Sequence, residues 1–144
     1  MGARIAKEDQ AYLQSGADKE IYSDFSNIFL PHPITGQITR KVNINSVEQA
    51  LRNLILTNKY ERLRNPEFGS NIRNMLFELI DNTHEDIIKA DLKYLIKKYE
   101  PRVSILDIKV SVNEEQYAIN ITITYNTITV STPQSLNLTL YRVR

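Results

Sequence analysis

The chain has 144 residues, 42% of them apolar and 24% charged, with a formal net charge of +1 and no cysteine. That is the size and composition of one ordinary soluble domain with enough chain to bury a core. A near-neutral balance argues against the electrostatic grip that nucleic-acid binding needs, and the missing cysteines remove disulfides, thiolate metal sites and cysteine nucleophiles together.

The first residues carry no apolar run of signal-peptide length, and Ala6 stands where myristoylation wants Ser or Thr. No segment approaches the roughly 18 apolar residues of a membrane span. The expectation is a protein folded in a cytoplasm, with no membrane and no nucleic acid among its partners. Residues 1–20 are polar and without period, so they read as a flexible or partner-ordered tail. A single domain is expected over residues 21–144.

From Ile21 the chain mixes short β-prone pieces with turn formers. Pro31 and Pro33 exclude a helix, and Thr35-Gly36 predicts a turn between two extended segments. The first helix is announced by a Ser46…Gln49 capping box and a stripe of Val47, Ala50, Leu51, Leu54 and Ile55, ending near Thr57-Asn58. A polar connector punctuated by Pro66 and Gly69 leads to Ser70, the predicted cap of a second helix. Its stripe is Ile72, Met75, Leu76, Leu79 and Ile80, and it closes at Asp81-Asn82. Thr83 is the predicted cap of the third and longest helix. Glu85 and Asp86 lie in its first turn and Lys97 and Lys98 in its last, as the macrodipole favours. Ile88, Leu92, Leu95, Ile96 and Tyr99 form its apolar stripe, with Lys89, Lys93 and Lys97 opposite.

The remainder reads as strands. Val103 and Ile105 alternate, then Ile108, Val110 and Val112, and the slip at Leu106-Asp107 predicts a β-bulge. Tyr117, Ile119, Ile121, Ile123 and Tyr125 give the cleanest alternation, after a hairpin loop over Asn113–Gln116. A third strand follows Pro133 and alternates at Leu136, Leu138 and Leu140. The predicted fold is α+β: three helices packed on a mainly antiparallel sheet, with an extended C-terminal strand.

Chemistry is sparse. His32 and His84 have no metal-ligand spacing, and no catalytic, metal or cofactor-binding residues are expected. The stripe Lys89, Lys93, Lys97 reads either as a phosphate contact or as the solvated face of a helix. Glu100 invites glycoside hydrolysis, with Glu61, Glu67 and Glu78 as further carboxylates, but none stands at a motif spacing and there is no Trp to stack on sugars. Structurally, Pro101 holds Glu100 extended and ends the helix. Arg102 then opens the strand, to pair with a connector carboxylate or with Glu100.

Three stretches taken in order carry more: "HPITGQI", "NLILTNKYERLRNPEFGSNIRNMLFE" and "YEPRVSILDIKVSV". Their motif residues are Thr57, Glu61, Arg62, Pro66, Phe68, Gly69, Ser70, Leu76, Phe77, Glu78 and the series Glu100, Pro101, Arg102. Over residues 31–125 the chain resembles the baseplate wedge, or sheath-initiator, family of contractile-tailed phages, which has relatives in type VI secretion and is often labelled lysozyme-like. That family often has Gly where Tyr60 stands.

The resemblance implies a structural, non-enzymatic virion protein of the tail baseplate, assembled in the host cytoplasm in six copies. It links the wedge to the sheath. Glu100, Pro101 and Arg102 would dock on the wedge core bundle. Glu61, Arg62, Pro66, Phe68, Gly69 and Ser70 form the motif connector. The implied partners are wedge core-bundle proteins, the first ring of sheath subunits, and tube or hub proteins. Sheath strands would be accepted along Leu136, Leu138, Leu140, Arg142 and Arg144, starting sheath polymerisation. The alternative is a peptidoglycan-cleaving glycoside hydrolase of the tail.

Overall fold

The computed structural model describes residues 20–77, 82–113, 116–128 and 130–142. The predicted tail therefore lies almost wholly outside the described residues, as do Glu78, Leu79, Ile80, Asp81 and Arg144. Contacts divide the chain into two units, residues 1–43 and 44–144.

In the first unit, β1 (Ser23–Phe25) pairs antiparallel with β2 (Arg40–Val42). Between them Pro31 bridges Ile38, and the predicted turn is present: Gly36 adopts φ +66° and its N–H donates to the His32 carbonyl. Three-residue strands bury little, so polar ties hold this unit. The Asn43 side-chain oxygen accepts from the Ile21 N–H at 3.0 Å, and Arg40 pairs with Glu20.

The second unit carries the core. Helix α1 (Asn43–Leu56) buries Val47, Leu51, Leu54 and Ile55 and leaves the Glu48–Arg52 pair in solvent. The predicted capping box is not its N-terminus. The helix starts at Asn43, whose left-handed φ of +48° turns the chain out of β2. Ser46 and Gln49 sit buried inside the helix. Helix α2 is a single turn, Ile72–Met75, and α3 runs Asn82–Tyr99. Thr83 is therefore the second residue of α3, not the residue ahead of it. On α3, Ile88, Leu92, Leu95 and Ile96 are buried as the stripe predicted, and the helix lies against β3.

The sheet is antiparallel in the order β3 (Val103–Asn113), β4 (Ala118–Thr127), β5 (Val130–Tyr141). Ile119, Ile121, Ile123 and Tyr125 of β4 and Leu136, Leu138 and Leu140 of β5 share the buried face. Each such side chain contributes on the order of 1.5–3 kcal/mol by leaving water. The predicted bulge is present, as a register shift between Ile105 and Asp107 that leaves Leu106 exposed. Tyr117 departs from expectation. The alternation predicts it in the buried row, but it is a half-exposed turn residue at φ +48°, and the hairpin spends it on reversing direction.

Candidate functional site

The corner after α3 is built by Pro101. The Glu100 N–H still donates to the Ile96 carbonyl at 2.8 Å, completing the last helical turn. Proline has no N–H to continue the series and forbids a helical residue before it. The Val103 N–H then returns to the Glu100 carbonyl at 3.2 Å, and the Arg102 carbonyl accepts from the Ile128 N–H. The corner is thereby fastened to the turn between β4 and β5.

Across this corner Arg102 grips Glu100 with both arms of its fork. Nη2 donates to Oε2 at 2.7 Å and Nε donates to Oε1. Of the two pairings open from sequence, the ion pair found is the one with Glu100. Glu100 is 6% exposed, whereas the Arg102 side chain keeps 29% of its surface. The carboxylate is thus buried and the guanidinium reaches solvent from above it. Planar two-point pairing of this kind fixes orientation as well as charge.

The connector folds onto the same end of α3. Gly69, at φ +109°, brings the chain back beside residues 57 and 58, and a Cβ there would lie 2.4 Å from the Thr57 carbonyl oxygen. Ser70 locks the return: its N–H donates to the Thr57 carbonyl at 2.8 Å, and its hydroxyl donates to the Ile55 carbonyl at 2.6 Å. Its oxygen also accepts from the Ile72 N–H at 3.5 Å, so the predicted reach of Ser70 to the start of α2 is present, although the N-cap residue is Asn71, which makes no side-chain bond. Glu61 accepts from the Asn58 N–H, and the Tyr60 N–H donates to the Pro66 carbonyl. Arg62 lies 3.9 Å over the Phe68 ring, and Phe68 meets Tyr99 edge-on at 5.1 Å. The order Arg62, Phe68, Tyr99 joins the connector to the residue preceding Glu100. The helical period places Tyr99 only in the core stripe, and nothing in the sequence shows that Phe68 would meet it.

The third group is the free side of β5. Among the described residues β5 pairs with β4 alone. The Arg142 N–H donates to the Tyr117 carbonyl, so the even-numbered residues of this ladder bond β4. In an antiparallel pair the alternate residues point the other way. Ser135, Asn137, Thr139 and Tyr141 therefore aim their N–H and C=O groups off the sheet. The side chains of Leu136, Leu138 and Leu140 face the core, and their backbone groups bond β4. Beside the strand's end, Leu56, Arg73, Leu76, Phe77, Thr139, Leu140 and Tyr141 line an open groove of about 470 Å³. Arg142 lies over the Phe77 and Tyr117 rings at 5.4 and 5.8 Å.

No cluster of three or more metal-ligating side chains occurs among the described residues. His32 serves its own turn, its Nδ1 accepting from the Ile34 and Thr35 N–H groups.

These features belong to a recognised class, the baseplate proteins of contractile machines. The profile of the family described as baseplate wedge protein gp25 matches residues 42–131. Over 116 residues the chain is 25% identical to baseplate wedge protein gp25 of Enterobacteria phage T4, covering 81% of each. A protein of Geobacter sulfurreducens named as a tail lysozyme superposes with a TM-score of 0.60 at 26% identity, over 68% of this chain and 89% of that one. A chain of the anti-feeding prophage baseplate gives 0.59 at 18% identity, over 83% and 85%. The chain belongs to the baseplate wedge protein gp25 family.

Proposed function

We propose that this chain is a structural, non-enzymatic wedge subunit that links the baseplate wedge to the sheath and starts sheath polymerisation. The observation that carries the reading is the open side of β5. Four residues there, Ser135, Asn137, Thr139 and Tyr141, hold out paired donors and acceptors with no strand among the described residues to meet them. An incoming strand would satisfy them with main-chain bonds, and alternation would fix its register. Its occupant in this reading is a strand from the first ring of sheath subunits, with six copies of the chain around the tube and tube or hub proteins nearby. The corner at Glu100, Pro101 and Arg102 docks on the helical bundle of the wedge. The product is a virion tail component put together in the host cytoplasm.

A proline at residue 137 tests the strand. Asn137 does not bond β4, so Asn137→Pro removes a donor from the open side and spares the β4–β5 ladder. Tails carrying it are expected to incorporate the subunit and yet fail to nucleate sheath in electron micrographs. Sheath of normal length and yield in that variant would end the claim for β5.

The hydrolase alternative draws on the name of the Geobacter protein. Glu100 is a poor candidate for its acid, because it is buried and both its oxygens accept from Arg102. Purified protein is expected to leave peptidoglycan intact. Clearing that disappears in Glu100→Gln would restore the enzymatic reading.

A further inference from the structure

Beside the corner, Lys93, Lys97, Pro101, Val103, Ser104 and Ile105 line a second open groove, of about 400 Å³. Its wall is cationic and its floor apolar. Lys93 and Lys97 stand four residues apart on one face of α3, so their ammonium groups reach the same space. The helix gives neither of them an acid. Lys89 pairs with Asp86 at 3.4 Å and approaches Glu85 at 4.0 Å, but no carboxylate among the described residues pairs with Lys93 or Lys97. Glu100, three residues beyond Lys97, is spent on Arg102. A merely solvated lysine face needs no apolar hollow beneath it, yet here Pro101 is exposed and Val103 and Ile105 are only partly covered.

We propose that this groove seats an acidic, apolar peptide segment of another baseplate subunit. One large apolar side chain would fill the floor over Pro101, Val103 and Ile105, and carboxylates of the same segment would reach Lys93 and Lys97. The proposal rests on the reading of the corner as a docking point and specifies the chemistry of what docks. Two cations without an acidic partner among the described residues, set over an apolar floor, suit a peptide better than a phosphate backbone, which calls for a longer cationic track. The net charge of +1 agrees.

The test uses contractile tails assembled by the chain's own gene cluster, with a photo-crosslinking amino acid in place of Ser104 and the joined peptide identified by mass spectrometry. The expected product is a peptide of a different baseplate subunit holding at least two Asp or Glu residues close to a large apolar one. A joined peptide without acids, a second copy of this chain, nucleic acid, or no product from assembled tails overturns the proposal. In parallel, Lys93→Glu with Lys97→Glu is expected to lower incorporation at least tenfold. Lys93→Arg with Lys97→Arg is expected to retain it, and so is Lys89→Glu. Unchanged thermal melting shows that the reversed variant folds. If Arg102→Ala stops incorporation while the lysine reversal does not, the groove proposal falls and corner docking stands. If neither variant has an effect, corner docking falls with it.

Discussion

Removing the Arg102 fork while leaving Glu100 in place isolates what the corner owes to the pair. Arg102→Ala leaves a carboxylate that is 6% exposed with its charge-assisted bonds gone. Breaking a buried pair from one side costs roughly 3–5 kcal/mol. The guanidinium here keeps 29% of its side-chain surface, so water repays part of that loss, and about 2–3 kcal/mol is expected. Glu100→Gln alone should cost less, because a neutral amide still accepts one bond from Arg102. In Arg102→Ala with Glu100→Gln neither side leaves a stranded charge, and the double variant should be more stable than the sum of its single changes predicts, by at least ~1 kcal/mol. Urea unfolding of the four proteins of the cycle measures this. With m of about 1–3 kcal/mol/M, the midpoint of Arg102→Ala should fall by roughly 0.7–3 M. Strict additivity within about 0.3 kcal/mol would refute the claim that the two side chains act as a unit.

Three further outcomes follow from backbone and burial. Gly69→Ala sets a Cβ 2.4 Å from the Thr57 carbonyl oxygen at φ +109°, so at least ~2 kcal/mol should be lost in the same urea assay. Tyr60 is 75% exposed at φ +68°, so Tyr60→Gly should raise stability by about 0.5–1 kcal/mol, the relieved left-handed strain exceeding the entropy of glycine. Burial raises the Tyr125 phenol above its ordinary value of 10.0, with Glu48 adding to the shift. The unfolded chain therefore releases that proton first. Stability should be level below pH 10 for this group and fall as pH rises beyond it, and Tyr125→Phe should flatten the fall in denaturation midpoints measured across that range.

The helical stripes and the β alternation were legible because each is a period repeated several times within one element. Ile88, Leu92, Leu95 and Ile96 on α3, and Ile119, Ile121 and Ile123 on β4, lie where the repeat put them. The Leu106 bulge was legible for the same reason, since it breaks a period on both sides. Single-residue signals fared worse. Ser46 and Gln49 have the spacing of a capping box, but Asn43, three residues earlier, had already turned the chain into the helix. Ser70 reads as a cap and its oxygen does accept from the Ile72 N–H at 3.5 Å, but the shorter bond, at 2.6 Å, ties its hydroxyl to the Ile55 carbonyl fifteen residues back, which no local signal shows. At the candidate site, proline made the corner readable from sequence. The edge-on contact of Phe68 with Tyr99 joins residues 31 apart, and no local pattern encodes it.

The sheet has two outer strands, and their difference bears on which one is kept for a partner. β3 carries the bulge at Leu106 in its first half and has α3 against it. Bulges and covering helices are the usual ways of closing an edge to further pairing. β5 is irregular only upstream, where the register shifts opposite Tyr125 and Thr127 around Pro133. From Gln134 to Tyr141 it pairs with β4 without interruption, and its outward-facing side chains Ser135, Asn137 and Thr139 carry no charge. An uncharged, regular edge of that length invites pairing with the wrong chain, and proteins ordinarily guard against it with Lys, Pro or a bulge. Here such devices stand only at the ends, Pro133 before the regular run and Arg142 after it. Both limit how far a new strand can extend, and neither blocks its entry. An edge bounded at both ends and, among the described residues, unpaired between them supports the proposal that β5 is a register-specific strand acceptor.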